Sequence, residues 1–259
     1  MILPALRPEI FTGLRAPPKG ILLFGPPGCG KTLLARALAA ESKCTFFNIS
    51  ASALTSKFLG ESEKMVKTLF NLARQLAPTI IFIDEIDSFL TERKENEHEG
   101  SRRLKTEFML QFDGLSSIES EKLLVLGATN RPFDLDDAVL RRFPKRIYIK
   151  LPDEKARLDL LKIALKDQNI NISSKEWAYI VHQTGNYSGS DLKQLAKEAA
   201  YEPIRNIGIN LLKTVDVEDV PAITGQHFVS AMKRIRPSVD IKSLKIFVDW
   251  NSQFGDVST

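Results

Sequence analysis

Gly25-Pro-Pro-Gly-Cys-Gly-Lys31-Thr32 decides the fold of this 259-residue chain. It follows the apolar run Gly20-Ile-Leu-Leu-Phe24 and opens a segment of helical character. A strand, a glycine-rich turn and a helix start, in that order, make a phosphate-binding loop. The glycines let the backbone curl so that successive N–H groups face phosphate oxygens, and the helix adds its positive N-terminal end. Lys31 would supply a point charge for the β- and γ-phosphates, and Thr32 a hydroxyl for Mg²⁺, a hard ion that asks for oxygen. The expected binding residues for ATP are thus Gly25, Pro26, Pro27, Gly28, Cys29, Gly30, Lys31, Thr32 and Leu33. A merely structural glycine turn is the alternative, and the strand-to-helix context weighs against it.

Downstream, Ile80-Ile-Phe-Ile-Asp84-Glu85 is an apolar strand ending in two carboxylates. An open α/β sheet places its ligand crevice at such strand ends. Asp84 is expected to face Mg²⁺, with Thr32 as the other metal-side residue, and Glu85 to polarise an attacking water. A solvated acidic strand end is the alternative reading of the pair.

Further apolar runs at 20–24, 45–49, 79–84, 123–128 and 146–149 alternate with helical patterns. Met65, Leu69, Leu72 and Leu76 recur at helical spacing and predict an apolar stripe facing the sheet. The expected fold is α/β: a P-loop NTPase with a mostly parallel five-stranded sheet sandwiched by helices, followed by a small helical lid domain. The boundary is placed between residues 151 and 152, where strand-like runs stop and helical patterns take over at 154–167, 174–184, 188–201, 224–235 and 240–254. Asp153, and Ser188 with Asp191 three residues on, read as helix caps.

Composition is that of an ordinary soluble globular protein: 43% of residues are hydrophobic and 26% charged, with a formal net charge of +4. That mild cationic bias favours acidic partners without specifying nucleic acid or membrane. Two cysteines, Cys29 and Cys44, make no disulfide framework and suggest a reducing compartment. No apolar run reaches the roughly 20 residues of a membrane span.

A third block, Ala128-Thr-Asn130-Arg-Pro-Phe-Asp-Leu-Asp-Asp-Ala-Val-Leu-Arg141-Arg142-Phe143, resembles the second region of homology of the AAA ATPases. The resemblance implies that Asn130 is a polar sensor near the γ-phosphate. It also implies that Arg141 and Arg142 are fingers reaching the ATP of a neighbouring subunit, so that a lone subunit is a poor ATPase. A surface salt-bridge role is the alternative for the two arginines. Gly185-Asn-Tyr-Ser-Gly189-Ser190-Asp191-Leu192 resembles the second sensor region, where Gly189 and Ser190 would approach the adenosine, or simply begin a helix. The family's motors are homo-hexameric rings that thread polypeptide through a central pore. Ser56-Lys57-Phe58-Leu59-Gly60-Glu61 resembles the pore loop, with Lys57, Phe58 and Leu59 gripping substrate; Phe58 could instead pack in a core. His98, Arg102 and Arg103 resemble a second pore loop, or an ordinary basic helix start.

Within the family the chain resembles the meiotic branch. Residues 4–17, 97–108 and 250–256 look most like its microtubule-severing members. This implies a cytoplasmic, microtubule-associated motor that pulls the acidic C-terminal tails of tubulin into a cationic pore, with nucleic acid not expected as a partner. Remodelling of other filaments, as by the ESCRT-disassembling, katanin-like or fidgetin-like members, is the alternative. The start at Met1 lies inside what resembles the first part of the AAA domain, so the segment that closes over the adenine is expected to be missing. The helix expected at residues 243–254 would support ring formation through Leu244, Phe247, Val248 and Trp250, or serve core packing alone.

Overall fold

Apolar runs that lack polar alternation suit strands buried on both faces, and in the computed structural model of the chain they form one parallel sheet. The structure describes residues 7–54, 61–91, 99–116, 122–205, 207, 216 and 219–256. Strands β1 (Gly20–Phe24), β2 (Thr45–Ser50), β3 (Thr79–Asp84), β4 (Leu123–Thr129) and β5 (Lys145–Tyr148) lie in the order β2-β3-β4-β1-β5. Every pairing in this sheet is parallel. β3 and β4 are the most deeply buried, whereas the edge strands β2 and β5 are partly exposed.

Successive side chains of a strand point to opposite faces, and the two faces meet different helices. Leu23, Ile80, Phe82, Leu124 and Leu126 pack with Ala35 and Ala39 of helix α1 (Lys31–Ser42). Leu22, Phe24, Ile81, Ile83 and Val125 form the other face. There they pack with α2 (Glu61–Gln75), α3 (Glu99–Ser116) and α4 (Asp137–Arg142), through Val66 and Phe70, Phe108 and Phe112, and Val139.

The expected stripe on α2 is not the buried one. Leu69 is buried, but Met65, Leu72 and Leu76 are 37%, 40% and 46% exposed. The face in the core is Ser62, Val66, Leu69, Phe70 and Ala73. Both stripes obey the helical period and share Leu69. Burying Phe70 removes more apolar surface than burying Leu72, and that rotates the helix.

Contacts divide the chain into two units. The first holds the residues up to Gly25, Lys31–Ile149 and those from Phe247 onward; the second holds Pro26–Gly30 and Lys150–Ile246. The expected division placed everything after residue 151 in the second domain. The last turns of the final helix instead count with the sheet because Trp250 meets Phe24 edge-on at 4.5 Å and Phe247 lies 6.2 Å from Tyr148.

The second unit contains α5 (Glu154–Ala164), α6 (Ser174–Gln183), α7 (Gly189–Arg205), α8 (Gly225–Arg234) and the start of α9 (Ile241–Phe254). Leu161, Trp177, Ile180, Leu195 and Phe228 are at its core. Both expected caps are present. Asp153 accepts from Ala156 N at 2.8 Å, and Ser188 Oγ and Asp191 Oδ2 satisfy each other's backbone N–H at 3.2 and 2.9 Å. Strand-like structure does not stop at Pro152, contrary to expectation: β6 (Ile170–Asn171) and β7 (Ile223–Thr224) pair in parallel. Two residues are too few to leave a periodic signal.

Candidate functional site

Three adjacent strands carry the expected catalytic groups at their C-terminal ends. β1 runs into the phosphate loop, β3 ends in Asp84 with Glu85 next, and β4, which lies between them, ends at Thr129 just before Asn130. In the loop, Gly28 and Gly30 adopt φ of +75° and +91°, a region that favours glycine. Gly28 is doubly constrained, since an added Cβ would lie 2.7 Å from Ser188 Oγ. Its carbonyl accepts from Ser190 N at 3.1 Å, and Gly189 is against the same oxygen. Ser190 and Gly189, expected near the nucleotide, thus touch the loop itself. Asp191 holds this segment: its buried carboxylate accepts from Ser188 N and Oγ and from Ser238 N and Oγ.

Lys31 is buried, and its Nζ donates to Gly25 O at 2.9 Å, which curls the ammonium back over its own loop. Thr32 Oγ1 donates to Asp84 Oδ2 at 2.7 Å across 52 residues of sequence. A hydroxyl and a carboxylate are therefore side by side, and oxygen is the ligand type that a magnesium-type ion takes. No group of three or more His, Cys, Asp or Glu residues able to hold a metal occurs among the described residues. A hydroxyl with a carboxylate suits a hard ion that completes its shell with phosphate oxygens and water, and Mg²⁺ fits that donor set.

Asp84 Oδ1 accepts from Glu85 N at 3.0 Å. Glu85 itself is exposed and has φ 53° and ψ 45°, the left-handed region that a glutamate seldom occupies. Such strain collects at functional positions, where surrounding structure enforces it. Asn130 contributes a buried side-chain oxygen, Oδ1, with no hydrogen-bond partner among the described residues. A buried acceptor left unmatched carries a desolvation penalty, and an incoming water could satisfy it. Beside it, Thr129 Oγ1 donates to Asp87 Oδ1 at 2.5 Å and accepts from Arg131 N at 2.8 Å, fixing the backbone on either side of Asn130. Neither Asp87 nor Thr129 stands out in the sequence, since a hydroxyl–carboxylate pair across 42 residues leaves no local pattern.

The two arginines occupy another part of the first unit, the C-terminal turn of α4. They line a cleft of about 520 Å³ with Pro17, Lys19, Phe112 and Asp113. Arg141 is exposed and has no side-chain partner among the described residues, whereas Arg142 pairs with Asp113 through two hydrogen bonds. For Arg142 the salt-bridge alternative is therefore realised.

Arg102 and Arg103 lie exposed on the first turns of α3, where Arg103 pairs with Glu99. Lys57, Phe58, Leu59 and His98 lie outside the described residues. On α9, Phe247 and Trp250 are buried but Val248 is 54% exposed, so only part of the expected apolar set packs. Neither Cys29 nor Cys44 is in a disulfide among the described residues, where no helix is long and apolar enough to cross a membrane.

Residues 21–151 match the model of the ATPase family associated with various cellular activities (AAA), and residues 175–219 match that of the AAA+ lid domain. Spastin of Gallus gallus is 54% identical over 258 residues, covering 100% of this chain and 42% of that protein. The chain therefore spans less than half the length of that relative. Among solved structures, the FIGL-1 AAA domain in complex with ADP is 49% identical with a TM-score of 0.92, covering 99% of this chain and 85% of that one. A structure described as the basis for katanin self-assembly is 39% identical with a TM-score of 0.81, covering 97% and 84%.

Proposed function

This chain belongs to the AAA ATPase family, and from that premise we propose that it hydrolyses ATP in a homo-hexameric ring and uses the cycle to sever microtubules. The observation that carries the ATPase reading is the convergence at three neighbouring strand ends of the Thr32–Asp84 hydrogen bond, the strained Glu85 and the orphaned Asn130 oxygen.

In this reading the loop's backbone N–H groups and Lys31 hold the β- and γ-phosphates of ATP. Thr32 and Asp84 would hold Mg²⁺, directly or through water; the ion, when bound, neutralises charge on the phosphate oxygens. Glu85 accepts a proton from the attacking water at its carboxylate, and Asn130 orients that water or the γ-phosphate through its amide. Gly189 and Ser190 support the loop from the side of Gly28. Arg141 and Arg142 serve the neighbouring subunit, where a guanidinium offsets charge spreading over the transferred phosphoryl.

Substrate choice rests on the named relatives and on charge. Lys57, Arg102 and Arg103, repeated around a ring, would attract acidic, extended chains such as tubulin tails, with a strong salt dependence. Phe58 would grip the chain by apolar contact. The test is fluorescent microtubules incubated with ATP and the protein: filaments are expected to fragment, whereas Glu85→Gln protein, or microtubules stripped of their acidic tails, yields none. Intact microtubules alongside disassembled ESCRT filaments would transfer the motor to the other filament class.

A further inference from the structure

Glu85 and Asn130 both lie past the end of the ladder that joins their strands. The β3–β4 register ends with Ile83 opposite Gly127, and the next backbone link between the two segments is the antiparallel bridge from Thr91 to Leu135. The stretch between those links holds Glu85 on one side and Asn130 on the other. A side-chain bond spans it: Thr129 Oγ1 donates to Asp87 Oδ1 at 2.5 Å. A hydroxyl donating to a carboxylate makes a charge-assisted bond, roughly twice as strong as a neutral one.

Thr129 is held from other directions too. Its backbone lies opposite Phe24 of β1, its side-chain oxygen accepts from Arg131 N at 2.8 Å, and it is buried. Beyond Asn130 the chain is tied into a turn, with Asp134 N donating to Arg131 O at 3.1 Å and Asp134 Oδ2 accepting from Arg131 Nε at 2.7 Å. On the other side, Asp87 belongs to the short turn Ile86–Ser88, where Ser88 N donates to Glu85 O at 2.9 Å. That turn lies close on β4, since a Cβ at Gly127 would come within 3.0 Å of Ile86 Cδ1. Amid these anchors the buried Oδ1 of Asn130 has no hydrogen-bond partner among the described residues. No bond of its own sets the direction of that oxygen, so its placement follows from the backbone that Thr129 holds. Packing gives no reason for a hydroxyl at this buried strand end, where valine has the same branched shape.

We propose that Asp87 is a positioning residue for ATP hydrolysis: through the Thr129 hydroxyl it holds Asn130 at the strand ends that carry Glu85. This rests on the ATPase reading of the site. Asp87 acts as a hydrogen-bond acceptor, neither taking a proton from water nor holding the ion. Phosphoryl transfer depends on placement more than on covalent chemistry, and a misplacement of about 1 Å can cost about 100-fold in rate.

Steady-state ATP turnover of Asp87→Ala and of Thr129→Val is the test, with folding checked by circular dichroism at the assay temperature. In each variant kcat should fall about 10-fold or more, with KM for ATP within about twofold of wild type. The doubly substituted protein should be no more than about twofold slower than the slower single variant, because the two side chains act as one unit. Asp87→Asn, whose amide oxygen still accepts, and Thr129→Ser, which still donates, should each recover most of the rate. On an Asn130→Ala background, adding Asp87→Ala should cost less than about twofold, which a merely structural role would not produce. Wild-type kcat in Asp87→Ala, no recovery in Asp87→Asn, or a further loss of about 10-fold on the Asn130→Ala background overturns the proposal. Should Asp87→Ala not fold, Thr129→Val is held to the same criteria. Glu85→Gln and Asn130→Ala are measured alone in parallel. Full turnover in those two contradicts the ATPase reading of the site itself, whereas their loss beside normal turnover in Asp87→Ala and Thr129→Val contradicts only the role of Asp87.

Discussion

At the scale of single residues, the proposed site holds two groups whose local state a phosphate chain and a water would account for. Glu85 endures a left-handed backbone, and Asn130 buries an oxygen that finds no hydrogen-bond partner among the described residues. Glu85→Gln should bind ATP as the wild type does but turn over about 100-fold more slowly or less, since an amide is a poor proton acceptor; equilibrium binding beside a phosphate-release assay reads both. Asn130→Ala should lower kcat with little change in the urea midpoint, because its orphaned oxygen contributes no hydrogen bond to folding. Gly28→Ala should weaken ATP binding and destabilise the chain by about 1–2 kcal/mol from the positive φ alone, with the 2.7 Å approach of Ser188 Oγ adding to it; urea denaturation and nucleotide titration measure the two effects. These chemical groups were legible in the sequence because each sits in a contiguous motif. The Asp87–Thr129 and Asp113–Arg142 pairs were not, since they join positions 42 and 29 residues apart whose meeting depends on the strand order.

At the scale of elements, the strands were legible to within a residue or so, because parallel strands buried on both faces leave unbroken apolar runs. The orientation of α2 was misread for a physical reason: two stripes, one through Leu72 and one through Phe70, fit the same period, and only the sheet decides between them. The C-terminal helix shows the same ambiguity, with Val248 outward and Trp250 inward. Trp250→Ala should therefore cost about 3–5 kcal/mol of stability, read from urea unfolding, whereas Val248→Ala should be nearly silent. In the second unit, α7 and α8 are tied by Glu198 and Glu202 facing Arg205 and Arg234. Hydrogen bonds from Arg234 and then Arg205 hold the Glu202 carboxyl below the usual carboxylate range. A carboxyl depressed in the native state contributes stability above its unfolded pKa of about 4.3 and loses it as pH falls through the native value. Glu202→Gln should accordingly lower the thermal midpoint at pH 7 and flatten its decline below about pH 4, as followed by circular dichroism across pH 3–7.

At the scale of the whole molecule, the features add up to a subunit whose catalytic parts are divided. Lys31, Thr32, Asp84, Glu85 and Asn130 cluster at one set of strand ends, while Arg141 and Arg142 line a separate cleft with no phosphate-binding loop among its residues. In the proposed reading, such a chain hydrolyses ATP only when another copy brings its arginines to the phosphate-binding loop, which would tie turnover to assembly. The central claim is tested most directly by magnesium-dependent ATP turnover per subunit as a function of protein concentration, for the wild type and for Arg141→Ala. A cooperative rise with concentration that EDTA abolishes and Arg141→Ala lacks is expected; turnover per subunit that stays constant on dilution, or that survives in Arg141→Ala, would rule out catalysis shared between copies.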